Sequence, residues 1–203
     1  MKNISIWLNK QCKALQEIQQ DMEVDVCIIG GGITGLSTFF ELQNSGLKTI
    51  LVERNICGHG VTSRSTAKIT YLQEQIMMNI RKYSVDAASK YLRSQIDSVQ
   101  RLKDIITTNH IDCNLKKTAS YIFTNEEKNI MKLEEEYNFL TKNQVKACKT
   151  KLYEVNNILA LKVEDTYTFH PLKYINHLKN MMKDSIYENS KVESIDKKDD
   201  YYY

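Results

Sequence analysis

The apolar positions along this chain change period several times, and each change predicts an element. Residues 24–29, VDVCII, form a short, nearly continuous apolar run closed by glycine. That is the pattern of a parallel strand covered on both faces. From Ile33 the apolar residues Leu36, Phe39, Phe40 and Leu42 return at helical spacing, and Gly46 stands where a left-handed C-terminal cap is expected. KTILVE, residues 48–53, is a second buried strand. A strand, helix and strand joined by so short a return predict a right-handed βαβ unit.

Downstream the pattern lengthens. Residues 86–109 carry Ala88, Tyr91, Leu92, Ile96, Val99, Leu102 and Ile106 on one stripe, which predicts a long amphipathic helix. IDCNLKKTASYIFT (111–124) alternates in the manner of strands. Thr124 with Glu127 matches a capping box, opening a helix that buries Ile130, Leu133, Tyr137 and Leu140. Within it the acidic run Glu134–Glu136 reads as a solvated face. LALKVEDTYTF (159–169) is extended, and Pro171 opens a helix to about Lys183 with Leu172, Ile175, Leu178 and Met182 inward. SKVESID (190–196) reads as another strand, and Tyr201–Tyr203 as the start of its cut partner.

Composition narrows the class. The 203 residues are 42% apolar and 26% charged, which suits one medium or two small globular domains. The net charge is only +3, with basic and acidic residues interleaved, so no nucleic-acid footprint is expected. Cys12, Cys27, Cys57, Cys113 and Cys148 lie far apart without metal-ligand spacing, and we read them as reduced thiols. No secretory pattern and no long apolar stretch is present, so a cytoplasmic protein without a membrane span is expected.

All seven glycines fall between Gly30 and Gly60. Gly30-x-Gly32-x-x-Gly35 lies between the first strand and helix, with Glu53 ending the next strand, which is the full context of a dinucleotide fingerprint. Gly30 permits the tight turn, Gly32 lets a diphosphate approach the backbone, and Gly35 lets helix and strand pack closely. The helix N-terminus offers free N–H groups to the anion. Glu53 is placed to accept from the ribose hydroxyls and would repel a ribose phosphate, which disfavours NADP, although Arg54 beside it softens that inference. FAD and NAD both use such a turn. Among the histidines, His170 suits a structural role, capping or packing, before Pro171, His59 a flexible surface loop with a place near a flavin as the alternative, and His110 and His177 surface or helix positions.

The loop after Glu53, NICGHGVTSRSTAKIT, completes a pattern that resembles the FAD-dependent oxidoreductases of the D-amino-acid oxidase and glycine oxidase superfamily. The resemblance is nearest to a bacterial branch that shares four ordered motifs: SIWL (Ser5–Leu8), GGGITG (Gly30–Gly35), TAKIT (Thr66–Thr70) and FHPLKY (Phe169–Tyr174). It implies an α/β fold, a Rossmann-like FAD-binding domain joined to part of an α+β substrate domain. In that layout residues 1–22 are an N-terminal extension, 23–74 and 169–203 belong to the FAD-binding domain, and 75–168 to the substrate domain.

The resemblance further implies that Gly30, Gly32, Ile33, Thr34 and Gly35 face the pyrophosphate of FAD and that Glu53 and Arg54 lie near the adenosine. Thr62, Ser63, Thr66, Ala67 and Lys68 line the pyrophosphate and the approach to the flavin, and Val192 touches the adenine through its backbone. Lys68 serves equally well as a charge near the flavin or as a solvated loop residue. The implied activity is oxidation of an amine or amino-acid-like substrate by hydride transfer to flavin N5, with no catalytic residue assignable here. Many relatives carry a C-terminal Rieske domain as a possible electron acceptor, and its Cys-x-His and Cys-x-x-His ligand pairs do not occur in this sequence. The second half of the family pattern is missing, so the sheet is expected to be incomplete and the chain to be an N-terminal fragment. An NAD-linked dehydrogenase and a non-catalytic nucleotide-binding remnant are the alternatives.

Overall fold

The structure, a computed structural model, describes residues 5–8, 13–155 and 158–203. Cys12 lies outside the described residues. In chain order the elements are β1 (Val26–Ile29), α1 (Ile33–Leu42), β2 (Thr49–Val52), β3 (Lys68–Ile69), α2 (Glu74–Tyr83) and α3 (Val85–Thr108). They continue with β4 (Lys116–Phe123), α4 (Ile130–Lys142), β5 (Ala147–Leu152), β6 (Ile158–Thr168), α5 (Pro171–Met181), β7 (Ile186–Tyr187), β8 (Lys197–Lys198) and β9 (Tyr201–Tyr202). The chain divides into two compact units. The first comprises Met1–Thr66, Ile111–Cys113 and His170–Tyr203, and the second Ala67–His110 and Asn114–Phe169.

The first unit is built on a parallel sheet of order β1-β2-β7, with Val26 opposite Thr49 and Leu51 opposite Ile186. β2 is buried at all four positions, as a central strand of β-branched and aliphatic residues should be. β1 departs from the expected double cover: Cys27 is exposed and Ile29 is 53% exposed, because β1 is the edge strand and alternate side chains leave the core. Leu36 and Phe39 of α1 are fully buried, and α1 meets α5 where Tyr174 Oη lies 3.1 Å from Ser37 Oγ.

Gly46 adopts φ +80°, but it is not the cap of α1. The helix ends at Leu42, whose carbonyl accepts from the Ser45 N–H at 3.1 Å and the Ser45 hydroxyl at 2.7 Å, so a serine turn intervenes. Residues 190–196 also differ from expectation. They are irregular, with Val192 36% and Ile195 60% exposed, and the extended segment is the earlier β7, where Ile186 is fully buried. A strand needs both a ladder neighbour and a core-facing side chain, and only residues 186–187 have them. Tyr201 and Tyr202 pair with Lys198 and Lys197 in a hairpin turning at Asp199, φ +54°.

The second unit is organised by β6, which pairs antiparallel with β3, β4 and β5. α3 begins at Ser84, whose hydroxyl accepts from the Ala87 N–H at 3.1 Å, and it buries Ala88, Leu92, Val99, Ile105 and Ile106. α4 is not opened by a Thr124 capping box. That hydroxyl accepts from the Glu126 N–H instead, and a 3-10 turn at Glu127–Asn129 leads into the helix. The acidic run is not wholly solvated either. Glu136 is 2% exposed and pairs with Arg81 at 2.9 Å, and the Arg81 guanidinium stacks 4.7 Å from the Phe139 ring centre.

Candidate dinucleotide site

β1 ends where Gly30, at φ +105°, turns the chain, and the Gly30 N–H donates to Val52 O at 2.8 Å. A side chain is excluded at Gly35, since a Cβ there would lie 2.0 Å from Gly30 O. The start of α1 therefore rests directly on the turn. At Gly32, the N-cap of α1, a Cβ would meet only Thr62 Oγ1 at 3.4 Å, so the space before the helix is open.

Five N–H groups converge at this helix mouth, where the peptide dipoles leave partial positive charge. Gly31 N–H donates to Glu53 Oε2 at 2.7 Å and Ile33 N–H to Thr62 Oγ1 at 3.0 Å. Those of Gly32, Thr34 and Gly35 donate to no acceptor among the described residues. Two amides are thus capped internally, and three remain for an anion. Glu53 directly follows β2 and also accepts from the Asn55 N–H at 2.9 Å, so both carboxylate oxygens are oriented beside the mouth while keeping acceptor capacity. An open glycine cradle, three free donors and an oriented carboxylate fit the diphosphate and ribose of a dinucleotide such as FAD.

The remaining expected site residues fall into distinct settings. Thr62 and Ser63 are buried in a 3-10 turn, Val61–Arg64. Thr62 reaches the helix mouth, whereas the Ser63 hydroxyl is used within the turn, donating to Gly60 O at 2.9 Å. The loop around His59 is hydrogen-bonded, its carbonyl accepting from Ser63 Oγ and Arg64 Nη1, each at 3.3 Å. Arg54 and Thr66 are exposed. Ala67, buried at φ +56°, and Lys68, exposed on β3 opposite Thr168, belong to the second unit. Val192 lies in the irregular stretch after β7. His170 is the N-cap of α5, its Nδ1 accepting from the Lys173 N–H at 3.3 Å. Burial and the neighbouring Lys173 charge hold its imidazole below the ordinary histidine range.

Sequence reasoning missed the groups that brace this site. Glu188 is fully buried, ion-paired to Lys179 at 2.6 Å, and accepts from the Cys57 N–H at 2.8 Å and the Leu15 N–H at 2.6 Å. Burial alone would raise its carboxyl, but the Lys179 hydrogen bond and the two amides outweigh it and hold it below the usual carboxylate range. Cys57 packs behind the turn, where a Cβ on Gly31 would lie 2.3 Å from its Sγ. Burial, reinforced by Glu188, pushes that thiol far above its ordinary value, so it stays protonated and inert. A signal for the pair was available: Lys179 falls on the apolar stripe of α5, four residues after Ile175.

The family model described as FAD dependent oxidoreductase matches residues 25–201. The putative Rieske 2Fe-2S iron-sulfur protein YhfW of Bacillus subtilis (strain 168) is 32% identical over 164 residues, covering 79% of this chain and 32% of that protein. Gamma-glutamylputrescine oxidoreductase of Escherichia coli (strain K12) is 25% identical over 120 residues, 59% of this chain and 28% of that protein. Among solved structures, glycine oxidase from Geobacillus kaustophilus superposes with a TM-score of 0.68 at 16% identity, covering 88% of this chain and 50% of that one. L-amino acid deaminase from Proteus vulgaris gives 0.66 at 15% identity, covering 94% and 46%. These two likenesses show the fold. The chain spans about a third of the length of these curated relatives and about half of these solved structures.

Proposed function

Because the chain belongs to the FAD dependent oxidoreductase family, we propose that it holds FAD at the mouth of α1 and serves the oxidation of an amine or amino-acid-like substrate. The observation that carries this reading is the trio of free N–H groups at Gly32, Thr34 and Gly35 beside the oriented carboxylate of Glu53. The amides and the helix dipole bind the diphosphate, and the glycine cradle lets it approach the backbone. Glu53 accepts from ribose hydroxyls without surrendering Gly31, because each oxygen has a second lone pair. Thr62 keeps the Ile33 amide satisfied and the turn in place.

When bound, FAD supplies the hydride acceptor, N5, for oxidation of a carbon bearing an amine, whose imine product is open to hydrolysis. Arg54, Ser63, Thr66, Ala67, Lys68 and Val192 complete the cofactor's surroundings in this reading. Residues 23–74 and 169–203 serve the nucleotide and 75–168 the substrate. The names of relatives that act on amino acids and amines support the substrate class. The name of the Bacillus relative supports a Rieske centre outside these residues as electron acceptor. Cytoplasmic residence is supported by the free thiols of Cys27, Cys57, Cys113 and Cys148, and no helix among the described residues is long and apolar enough to cross a membrane.

The test is a titration of the purified chain with FAD and, separately, NADH, followed by flavin absorption and nucleotide fluorescence. FAD is expected to bind and NADH not. Tight NADH binding without flavin would overturn the reading. Anaerobic addition of amines and amino acids to the loaded protein then identifies the substrate by bleaching of the flavin bands.

A further inference from the structure

We propose that the SIWL segment, Ser5–Leu8, is a strap that positions the nucleotide turn, with Ser5 and Trp7 as positioning residues for the cofactor; this rests on the FAD reading above. Ser5–Leu8 closes its own turn through the Leu8 N–H to Ser5 O at 3.1 Å, and the Trp7 N–H donates to Ser5 Oγ at 3.2 Å. Both side chains then meet the Val61–Arg64 turn and its exit. The Ser5 hydroxyl donates to Ser63 O, and Trp7 Nε1–H donates to Ser65 O at 3.0 Å. The Trp7 ring contacts His170 edge-on, with centroids 5.0 Å apart and planes at 64°.

The physical need is plain. A short 3-10 turn leaves its last carbonyls without partners, and here two donors from a distant segment satisfy them. The Thr62 carbonyl is already taken by the Ser65 N–H. That same turn aims Thr62 Oγ1 at the Ile33 N–H, so the strap acts through Thr62 on the amides that receive the diphosphate. A second anchor lies downstream: Glu188 accepts from the Leu15 N–H, and the Glu188 N–H donates to Gln16 O at 2.9 Å. The N-terminal segment thus braces the site from two sides, at the turn through Ser5 and Trp7 and behind the glycines through Glu188 and Cys57.

Trp7 is the only tryptophan, so its emission reports the strap directly. Trp7→Phe keeps a ring against His170 and removes the indole N–H, and Ser5→Ala removes the hydroxyl. Two measurements on the full chain decide the matter. Hydrogen exchange without cofactor is expected to quicken about five- to tenfold at the Ser63–Thr66 amides in either variant, as loss of one hydrogen bond predicts. The dissociation constant for FAD is expected to rise by a similar factor, with the melting temperature little changed, and FAD addition is expected to change Trp7 emission in the unaltered chain. Unchanged exchange in both variants overturns the strap, as does unchanged FAD affinity where the unaltered chain binds FAD. If the unaltered chain binds no FAD, the cofactor reading and the strap's cofactor role fall together, while exchange still decides whether the segment holds the turn.

Discussion

Gly32 and Gly35 are three residues apart on one turn, yet alanine at each should fail for different reasons. At Gly35 the new Cβ would stand 2.0 Å from Gly30 O and 3.2 Å from Gly30 C, where no flexible side chain can yield. Relief requires α1 to move off the turn, at the upper end of the roughly 1–3 kcal/mol that overpacking costs. Alanine's better helix propensity returns about 1 kcal/mol inside α1, leaving a net loss of about 2 kcal/mol. That corresponds to a fall of roughly 4–8 °C in melting temperature for a chain of this size. At Gly32 the backbone, φ −77°, suits any residue, and the nearest atom is Thr62 Oγ1 at 3.4 Å. The folding cost should be about 0.5–1 kcal/mol, from the weaker N-cap alone. The methyl would instead occupy the space through which a diphosphate reaches the free amides. FAD affinity is expected to drop about ten- to a hundredfold, or roughly 1.4–2.7 kcal/mol. Thermal melting by circular dichroism without cofactor, paired with flavin absorbance titration, separates the two effects. If Gly32→Ala binds FAD as well as the parent, or melts as low as Gly35→Ala, the assignment of roles is refuted.

Lys179→Met strands the Glu188 carboxylate in the core and is expected to cost about 3–5 kcal/mol, whereas the double variant Lys179→Met with Glu188→Gln, which keeps an uncharged side-chain acceptor for the Cys57 or Leu15 N–H, recovers much of it; urea denaturation measures both. The folded-state carboxyl of Glu188 lies below its ordinary value of 4.5, so its contribution is present above about that pH and lost as pH falls through the lower folded value. A urea midpoint series across acidic pH should show that loss and show it diminished in the double variant. His170 titrates the other way in charge but in the same direction in stability: its folded value is held below 6.5, and protonation removes the Nδ1 acceptor used by the Lys173 N–H. Stability should therefore decline as pH drops below about 6.5, and His170→Asn, which can still cap, should flatten that part of the melting profile. Arg81→Met should lower stability by about 3–5 kcal/mol by leaving the buried Glu136 carboxylate without its guanidinium, and calorimetry of the two proteins checks it.

What could be read from residues alone was what is encoded locally. The βαβ unit follows from glycine placement and from a period that switches between continuous and helical, and both β2 and α5 sit where apolar spacing puts them. Pro171 and His170 mark the start of α5 because a missing N–H and a capping ring suit that position. β5 and α2 were not anticipated. ACKTKL alternates weakly, and it becomes a strand because β6 offers it a ladder from Ala147 to Leu152. The glycine cradle was legible, but most of its support was not, since Glu188 takes its two amide donors, Cys57 and Leu15, from more than a hundred positions away. The acidic neighbours of Glu136 suggest solvent, while its place three residues after Leu133 on the buried stripe points inward, where Arg81 pairs with it.

β3, β4 and β5 all depend on β6 for their ladders, and β6 is the last of the four to leave the ribosome. Until residue 168 is synthesised, three nascent strands lack the edge they join, while the neighbouring helices α2 and α3 can dock early. The sheet then closes in one late event, so growth pauses before that point would leave sticky extended segments waiting, the stage at which a chaperone would matter most.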